Sequence, residues 1–229
     1  MRDKICVALD VPSPEAIQLI EKLNGKVGWC KIGPALLTTE DGLRLAVFAK
    51  DHGFKTFLDF KFKDIPSVVT KGIKNLHGIA DLITVHIDGG ITMLKEAKQA
   101  AGDNIKIIGV TLLTSLGRQD LEDFGYDNSR TSEVQVIQMT HLAIKSGIDG
   151  IVCSAQELGR VKANNSQLFC VTPGLKMPQG DDHEDQARTG NPRWAYQQGS
   201  DLLVMGRDIY EAKDPVKQVE SIVKLCLGN

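Results

Sequence analysis

A single-domain (β/α)8 barrel spanning residues 1–229 is the fold class the sequence predicts, and three observations carry it. Eight short, almost continuously apolar runs recur along the chain, each is followed by a segment with helical spacing, and no linker, repeat or composition shift divides them. Runs of this kind read as parallel strands buried on both faces. Their number favours a closed α/β barrel of the TIM type over a doubly wound sheet, which usually has about five or six strands and a glycine-rich fingerprint. Neither GxGxxG after the first run nor GxxxxGK(S/T) anywhere is present. A chain of 229 residues is long enough to bury about 70% of its unfolded surface without a metal or disulfide staple.

The first run, 5–9, meets Asp10, and Ser13-Pro14-Glu15 then supplies an N-cap with proline at the first helical position, ahead of Ala16, Ile17 and Ile20. The second, 28–32, contains Lys31, and Thr39-Glu40-Asp41 opens a helical segment that stops at Gly53. The third, 56–60, holds Asp59 and is followed by Lys61. The fourth, 82–85, ends at His86, and Gly89-Gly90 fits a tight strand-to-helix turn. The fifth, 105–111, leads into the polar stretch 111–115, after which Ser132-Glu133 opens a helix that stops at Gly147. The sixth is 150–152, and the seventh, 168–171, ends in Thr172-Pro173-Gly174. The eighth, 202–205, ends in Gly206-Arg207, and Asp214-Pro215 starts a last helix with Val216, Val219, Ile222 and Val223 at helical spacing.

Composition excludes several function classes. Lys+Arg 27 against Asp+Glu 29 leaves a formal charge of −2, so no basic surplus points to nucleic acid or an anionic membrane. The hydrophobic share of 42% is too high for a disordered chain. No stretch approaches the roughly 18 apolar residues of a membrane span. The run after Met1-Arg2-Asp3-Lys4 is too brief for a signal-peptide core. Five cysteines without CxxC spacing read as small buried hydrophobes in a reducing compartment, and Cys153, at the end of a run, has no activating base beside it. The expectation is a cytoplasmic protein.

A barrel gathers the C-terminal ends of its strands on one face. Seven of the eight runs end in polar or charged groups, so a shared polar pocket is the expectation, although each group alone also reads as an exposed charge where a strand meets a loop. The densest segment runs Leu58-Asp59-Phe60-Lys61-Phe62-Lys63-Asp64-Ile65-Pro66. On a strand, Asp59 and Lys61 share a face and Phe60 points the other way. Two carboxylates near one ammonium favour its charged form, which suits proton donation better than Schiff-base chemistry. A salt-bridge ladder at a barrel rim and a divalent metal on Asp59, Asp64 and His86 are the alternatives. At the last two runs, where barrels frequently hold phosphate, Gly174 permits a sharp turn, and Gly206-Arg207 offers backbone N–H groups and a guanidinium to an anion. The polar stretch 175–192 reads as a lid or a plain connection.

The segment Asp59-Phe60-Lys61-Phe62-Lys63-Asp64-Ile65-Pro66 resembles the D-x-K-x-x-D-I-P signature of orotidine 5′-phosphate decarboxylases of the bacterial branch. Ala8-Leu9-Asp10, Lys31-Ile32-Gly33, the stretch 111–115, Thr172-Pro173-Gly174, Asp185-Gln186 and Val204-Met205-Gly206-Arg207 follow in the family's order, nearly end to end. The resemblance implies a homodimer that converts orotidine monophosphate to uridine monophosphate and carbon dioxide with no cofactor and no metal. By position, Lys61 would be the proton donor, and Lys31, Asp59 and Asp64 would complete an alternating charge array, Asp64 reaching across the dimer interface. Asp10 and Lys31 would hold the ribose, Thr114 and Ser115 the pyrimidine, and Gln186, Gly206 and Arg207 the phosphate, while Pro173 lines the pocket. Ile65 and Val68 belong to the same substrate-binding set. Val68 stands where the family commonly has a threonine that reaches the partner subunit's substrate. Lys176 stands where bacterial relatives usually carry a phosphate-binding arginine, which exchanges a bidentate contact for a point charge. Two alternatives stay open: a Mg²⁺-dependent sugar-phosphate decarboxylase or aldolase on the same kind of barrel, and a non-catalytic phosphate-binding barrel.

Overall fold

The computed structural model describes residues 1–113, 116, 118–125, 131–178 and 190–228, with the side chain of residue 118 excepted. Eight parallel strands close in sequence order into a barrel: β1 Ile5–Ala8, β2 Trp29–Ile32, β3 Lys55–Phe62, β4 Leu82–His86, β5 Lys106–Val110, β6 Gly150–Val152, β7 Phe169–Thr172 and β8 Leu202–Met205, with β8 pairing back onto β1. The helices are α1 Ser13–Leu23, α2 Pro34–Leu37, α3 Gly42–Asp51, α4 Pro66–Lys74, α5 Ile91–Ala101, α6 Arg118–Asp123, α7 Ser132–Ser146, α8 Ala155–Asn164, α9 Pro192–Gln197, α10 Arg207–Tyr210 and α11 Pro215–Leu227.

Both faces of the strands are buried, which is why the runs are continuously apolar. Outward residues such as Ile5, Val7, Cys30, Leu58, Ile83 and Val85 join the helices in one core. Inward residues, among them Cys6, Trp29, Phe57, Leu82, Ile108 and Val171, fill the barrel as a second. All five cysteines are free and buried, as their apolar surroundings predict. Burial pushes the Cys30 thiol up to about 12. Cys153 is raised well above its ordinary value by its hydrogen bond with Cys170 and by burial, the state of an inert thiol.

Local start signals hold in part. Asp214 caps α11 by accepting from the Val216 and Lys217 N–H groups, and Gly147 ends α7 in the left-handed region at φ 76°. Ser13 is not a cap but the first residue of α1, after Pro12, whereas Ser132 opens α7 as expected, with Thr131 capping it by accepting from Val134 N–H. The segment opened by Thr39-Glu40-Asp41 starts its helix only at Gly42. A Cβ at Gly42 would sit 2.5 Å from the Leu36 carbonyl oxygen, so glycine is what lets α3 pack this close to α2.

Candidate active site

The period-two alternation that fills the barrel also builds the site. Beyond Cys6 and Ala8 the next inward position is Asp10, beyond Trp29 it is Lys31, and beyond Phe57 it is Asp59. The apolar interior thus gives way to charge at the C-terminal ends of the strands. There Asp10, Lys31, Asp59, Lys61, Pro173, Lys176, Gly206 and Arg207, all expected from the sequence, line one cavity of about 350 Å³, a size usual for small-molecule sites. Its floor is apolar, from Phe57, Val110, Val152, Val171 and Val204.

Four of these side chains form a chain of alternating charge. Lys31 Nζ lies 3.2 Å from Asp10 Oδ1 and 3.7 Å from Asp59 Oδ2, and Lys61 Nζ lies 2.6 Å from the same Asp59 oxygen. The Asp59 and Lys31 side chains are only 11% and 13% exposed, so salt screens this array less than a surface pair. Gly33 leaves room for it: a Cβ there would stand 3.0 Å from Lys31 Nζ and 3.3 Å from Asp10 Oδ1.

Lys61 is placed by an irregularity that alternation alone does not foresee. The β3–β4 register jumps from Leu58↔Ile83 to Phe62↔Val85, and Lys61 is the only non-glycine residue with positive φ, at 51°, among the described residues. Such a conformation costs about 1–3 kcal/mol and persists only where the surroundings over-determine it. Here Phe60 and Phe62 turn outward and stack with ring centroids 4.8 Å apart. Phe62 packs on Gly72 of α4, where a Cβ would come within 3.2 Å of its ring.

The cationic end of the cavity is tied together by Asp208, whose carboxylate accepts from the Met177 N–H, while Lys176 N–H donates to the Gly190 carbonyl at 2.7 Å. These contacts fix Lys176 and Arg207 in one pocket. Gly174 turns the chain at φ 72° after Pro173, as expected. Tyr210, missed from the sequence, also lines the cavity; burial and then the Asp10 charge raise its phenol above the ordinary value. Thr84, whose hydroxyl donates to Asp59 Oδ1 at 2.8 Å, was missed as well, because a threonine inside a β-branched run reads only as a strand former.

Asp64, Ile65 and Val68, expected in the substrate-binding set, do not line this cavity. Ile65 is 63% and Val68 46% exposed, and the Asp64 carboxylate accepts from Ile65 N–H at the start of α4. His86 is half-buried with Nδ1 3.8 Å from Asp88 Oδ1, and burial lowers its pKa from the ordinary value. Asp59, Asp64 and His86 form no metal-holding group, and none is present among the described residues. Thr114, Ser115 and Gln186 lie outside the described residues, as does most of the expected lid. Among the described residues no helix is long and apolar enough to cross a membrane.

Residues 3–222 match the family model described as "Orotidine 5'-phosphate decarboxylase / HUMPS family". The chain is 39% identical over 224 residues to the orotidine 5′-phosphate decarboxylase of Erythrobacter litoralis, covering 97% of this chain and 98% of that protein. It is 39% identical over 225 residues to that of Pseudomonas paraeruginosa, covering 96% and 95%. The crystal structure of orotidine 5′-phosphate decarboxylase from Lactobacillus acidophilus superposes with a TM-score of 0.84 at 30% identity, covering 99% of each chain.

Proposed function

This chain belongs to the orotidine 5′-phosphate decarboxylase / HUMPS family, and from that premise we propose how its own side chains carry the reaction. It is a carboxy-lyase that converts orotidine 5′-phosphate to uridine 5′-phosphate and carbon dioxide in pyrimidine nucleotide synthesis. The named relatives do not favour the Mg²⁺-dependent sugar-phosphate alternative.

Breaking the bond to the carboxylate leaves an electron pair in the plane of the pyrimidine, where no adjacent carbonyl is arranged to delocalise it. A fixed cation beside that carbon and a proton within reach meet both needs, and a charged Lys61 supplies them together without a cofactor. The Lys61 ammonium gives its proton to the ring carbon and is recharged from solvent. Asp59 holds that ammonium in place, while Asp10 and Lys31 take the ribose, Thr114 and Ser115 the pyrimidine and Pro173 the pocket wall. Gln186, Gly206 and Arg207, with Lys176, take the phosphate. General acid catalysis contributes about 10²–10⁴-fold, so phosphate-derived binding and the preorganised charges supply the rest. The single observation that carries this reading is the chain Asp10–Lys31–Asp59–Lys61, with spacings of 3.2, 3.7 and 2.6 Å, in one cavity with two further cations.

The exposed Asp64, Ile65 and Val68 are read as the contribution of one subunit of a homodimer to the other's pocket. The enzyme works in the cytoplasm as one domain spanning residues 1–229, with no nucleic-acid partner. Incubation with orotidine monophosphate and a chelator tests the reading. Loss of the orotate absorbance with stoichiometric uridine monophosphate is expected, and unchanged absorbance would refute it.

A further inference from the structure

Thr84 is fully buried in the middle of β4, and its hydroxyl joins two parts of the charge array. The register jump leaves Asp59, Phe60 and Lys61 facing the single residue Thr84, between the pairs Leu58↔Ile83 and Phe62↔Val85. The strand ladder is broken there, and the Lys61 N–H finds its acceptor in Thr84 Oγ1 at 3.0 Å instead of a backbone carbonyl. An N–H can only donate, so the hydroxyl accepts from Lys61 and its own single proton goes to Asp59 Oδ1, 2.8 Å away. Asp59 Oδ2 receives the Lys61 ammonium. One hydroxyl therefore closes a circuit from the Lys61 backbone through Asp59 to the Lys61 side chain.

We propose that Thr84 is a positioning residue for decarboxylation, holding Asp59 and the positive-φ Lys61 so that the ammonium points at the reacting carbon. The proposal rests on the reading that Lys61 protonates the decarboxylated ring. Valine has the shape of threonine but leaves a buried N–H and a carboxylate oxygen without this partner. Serine keeps the hydroxyl and loses only a methyl group. A threonine that merely filled the barrel would show the opposite preference, since its methyl packing would matter and its hydroxyl would not.

The test measures kcat and KM for orotidine monophosphate, the Kd of uridine monophosphate and the melting temperature for wild type and Thr84→Val, Thr84→Ser and Thr84→Ala. Thr84→Val is expected to lose about 10- to 100-fold in kcat, as misplaced reacting groups do, with the nucleotide Kd within about threefold. Serine and alanine differ only by the hydroxyl, so a kcat at least about tenfold higher for Thr84→Ser than for Thr84→Ala supports the role even where the valine variant does not fold. Equal kcat in those two variants, or wild-type kcat in Thr84→Val, would overturn it. A wild-type chain that left orotidine monophosphate unchanged would instead remove the underlying reading, and this role with it.

Discussion

The two ends of the barrel use the same residue types for opposite ends. At the N-terminal end, three lysine–aspartate pairs repeat from one quarter of the barrel to the next. Lys50, Lys98 and Lys162 lie 2.9, 2.8 and 2.6 Å from Asp81, Asp149 and Asp201. Each aspartate precedes an even-numbered strand and also accepts a backbone N–H from the odd strand before it, from Thr56, Ile107 and Cys170. The fourth quarter has Gly28 instead, where a Cβ would sit 2.8 Å from Asp3 Cα because the turn at Arg2–Lys4 closes against it. At the C-terminal end, one carboxylate, Asp59, is shared between two lysines, and one of those lysines sits in a costly backbone conformation. The three pairs at the bottom staple helix to strand. Charges at the top pair with one another along the rim of an open cavity, within reach of a substrate. The same ion pairing marks stability where it ties helix to strand and marks chemistry where it borders a cavity.

Variants that break the comparison begin with the largest effect. Lys61→Ala and Asp64→Ala, each nearly silent alone, should regain activity when mixed and allowed to exchange subunits. On the proposed homodimer, with Asp64 reaching the partner's pocket, half of the dimers would be mixed and one site in each intact, so about a quarter of wild-type turnover is expected. No recovery in a steady-state assay would place Asp64 in its own chain's chemistry. Gly33→Ala pushes a Cβ against the Lys31 ammonium, and a shift of a few tenths of an ångström should cost roughly 3- to 10-fold in kcat/KM with little change in melting temperature.

At the other end, Asp149→Ala strips the Ile107 N–H of its partner and leaves Lys98 only the Gly102 carbonyl. Denaturant unfolding should report a loss of about 1–3 kcal/mol with kcat preserved. The smallest effect is in pH. Because burial lowers the pKa of His86, the folded protein binds that proton less readily than the unfolded chain. Its contribution to stability is complete above the unfolded value of about 6.5 and is lost as pH falls from there through the lowered folded value. His86→Gln should flatten the unfolding free energy between pH 7 and 5 slightly, and an identical pH curve would discount the histidine.

The top of the barrel was legible in the sequence because its charges cluster. Asp59, Lys61 and Asp64 sit within six residues, and strand alternation alone sends Asp10, Lys31 and Asp59 inward. The bottom staples were invisible, since their partners lie 31, 51 and 39 residues apart and single lysines and aspartates are common. The bulge at Lys61 was not legible either. Its backbone is fixed by the β4 register and by the Thr84 hydroxyl, both of which are properties of the neighbouring strand. Ser13 differs for a related reason: a capping residue is recognised by type, but the helix starts one residue earlier, with Ser13 inside it and Pro12 at the cap position.

The most direct test sets the two ends against each other in one experiment, with kcat on orotidine monophosphate and melting temperature measured for Lys61→Ala and Lys98→Ala side by side. Lys61→Ala is expected to lose at least about 10⁴-fold in kcat while still binding uridine monophosphate and melting near wild type. Lys98→Ala is expected to melt several degrees lower, about 2–4 °C per kcal/mol lost, with wild-type kcat. Wild-type turnover in Lys61→Ala, or a comparable loss of turnover in Lys98→Ala, would contradict the division of labour between the two ends.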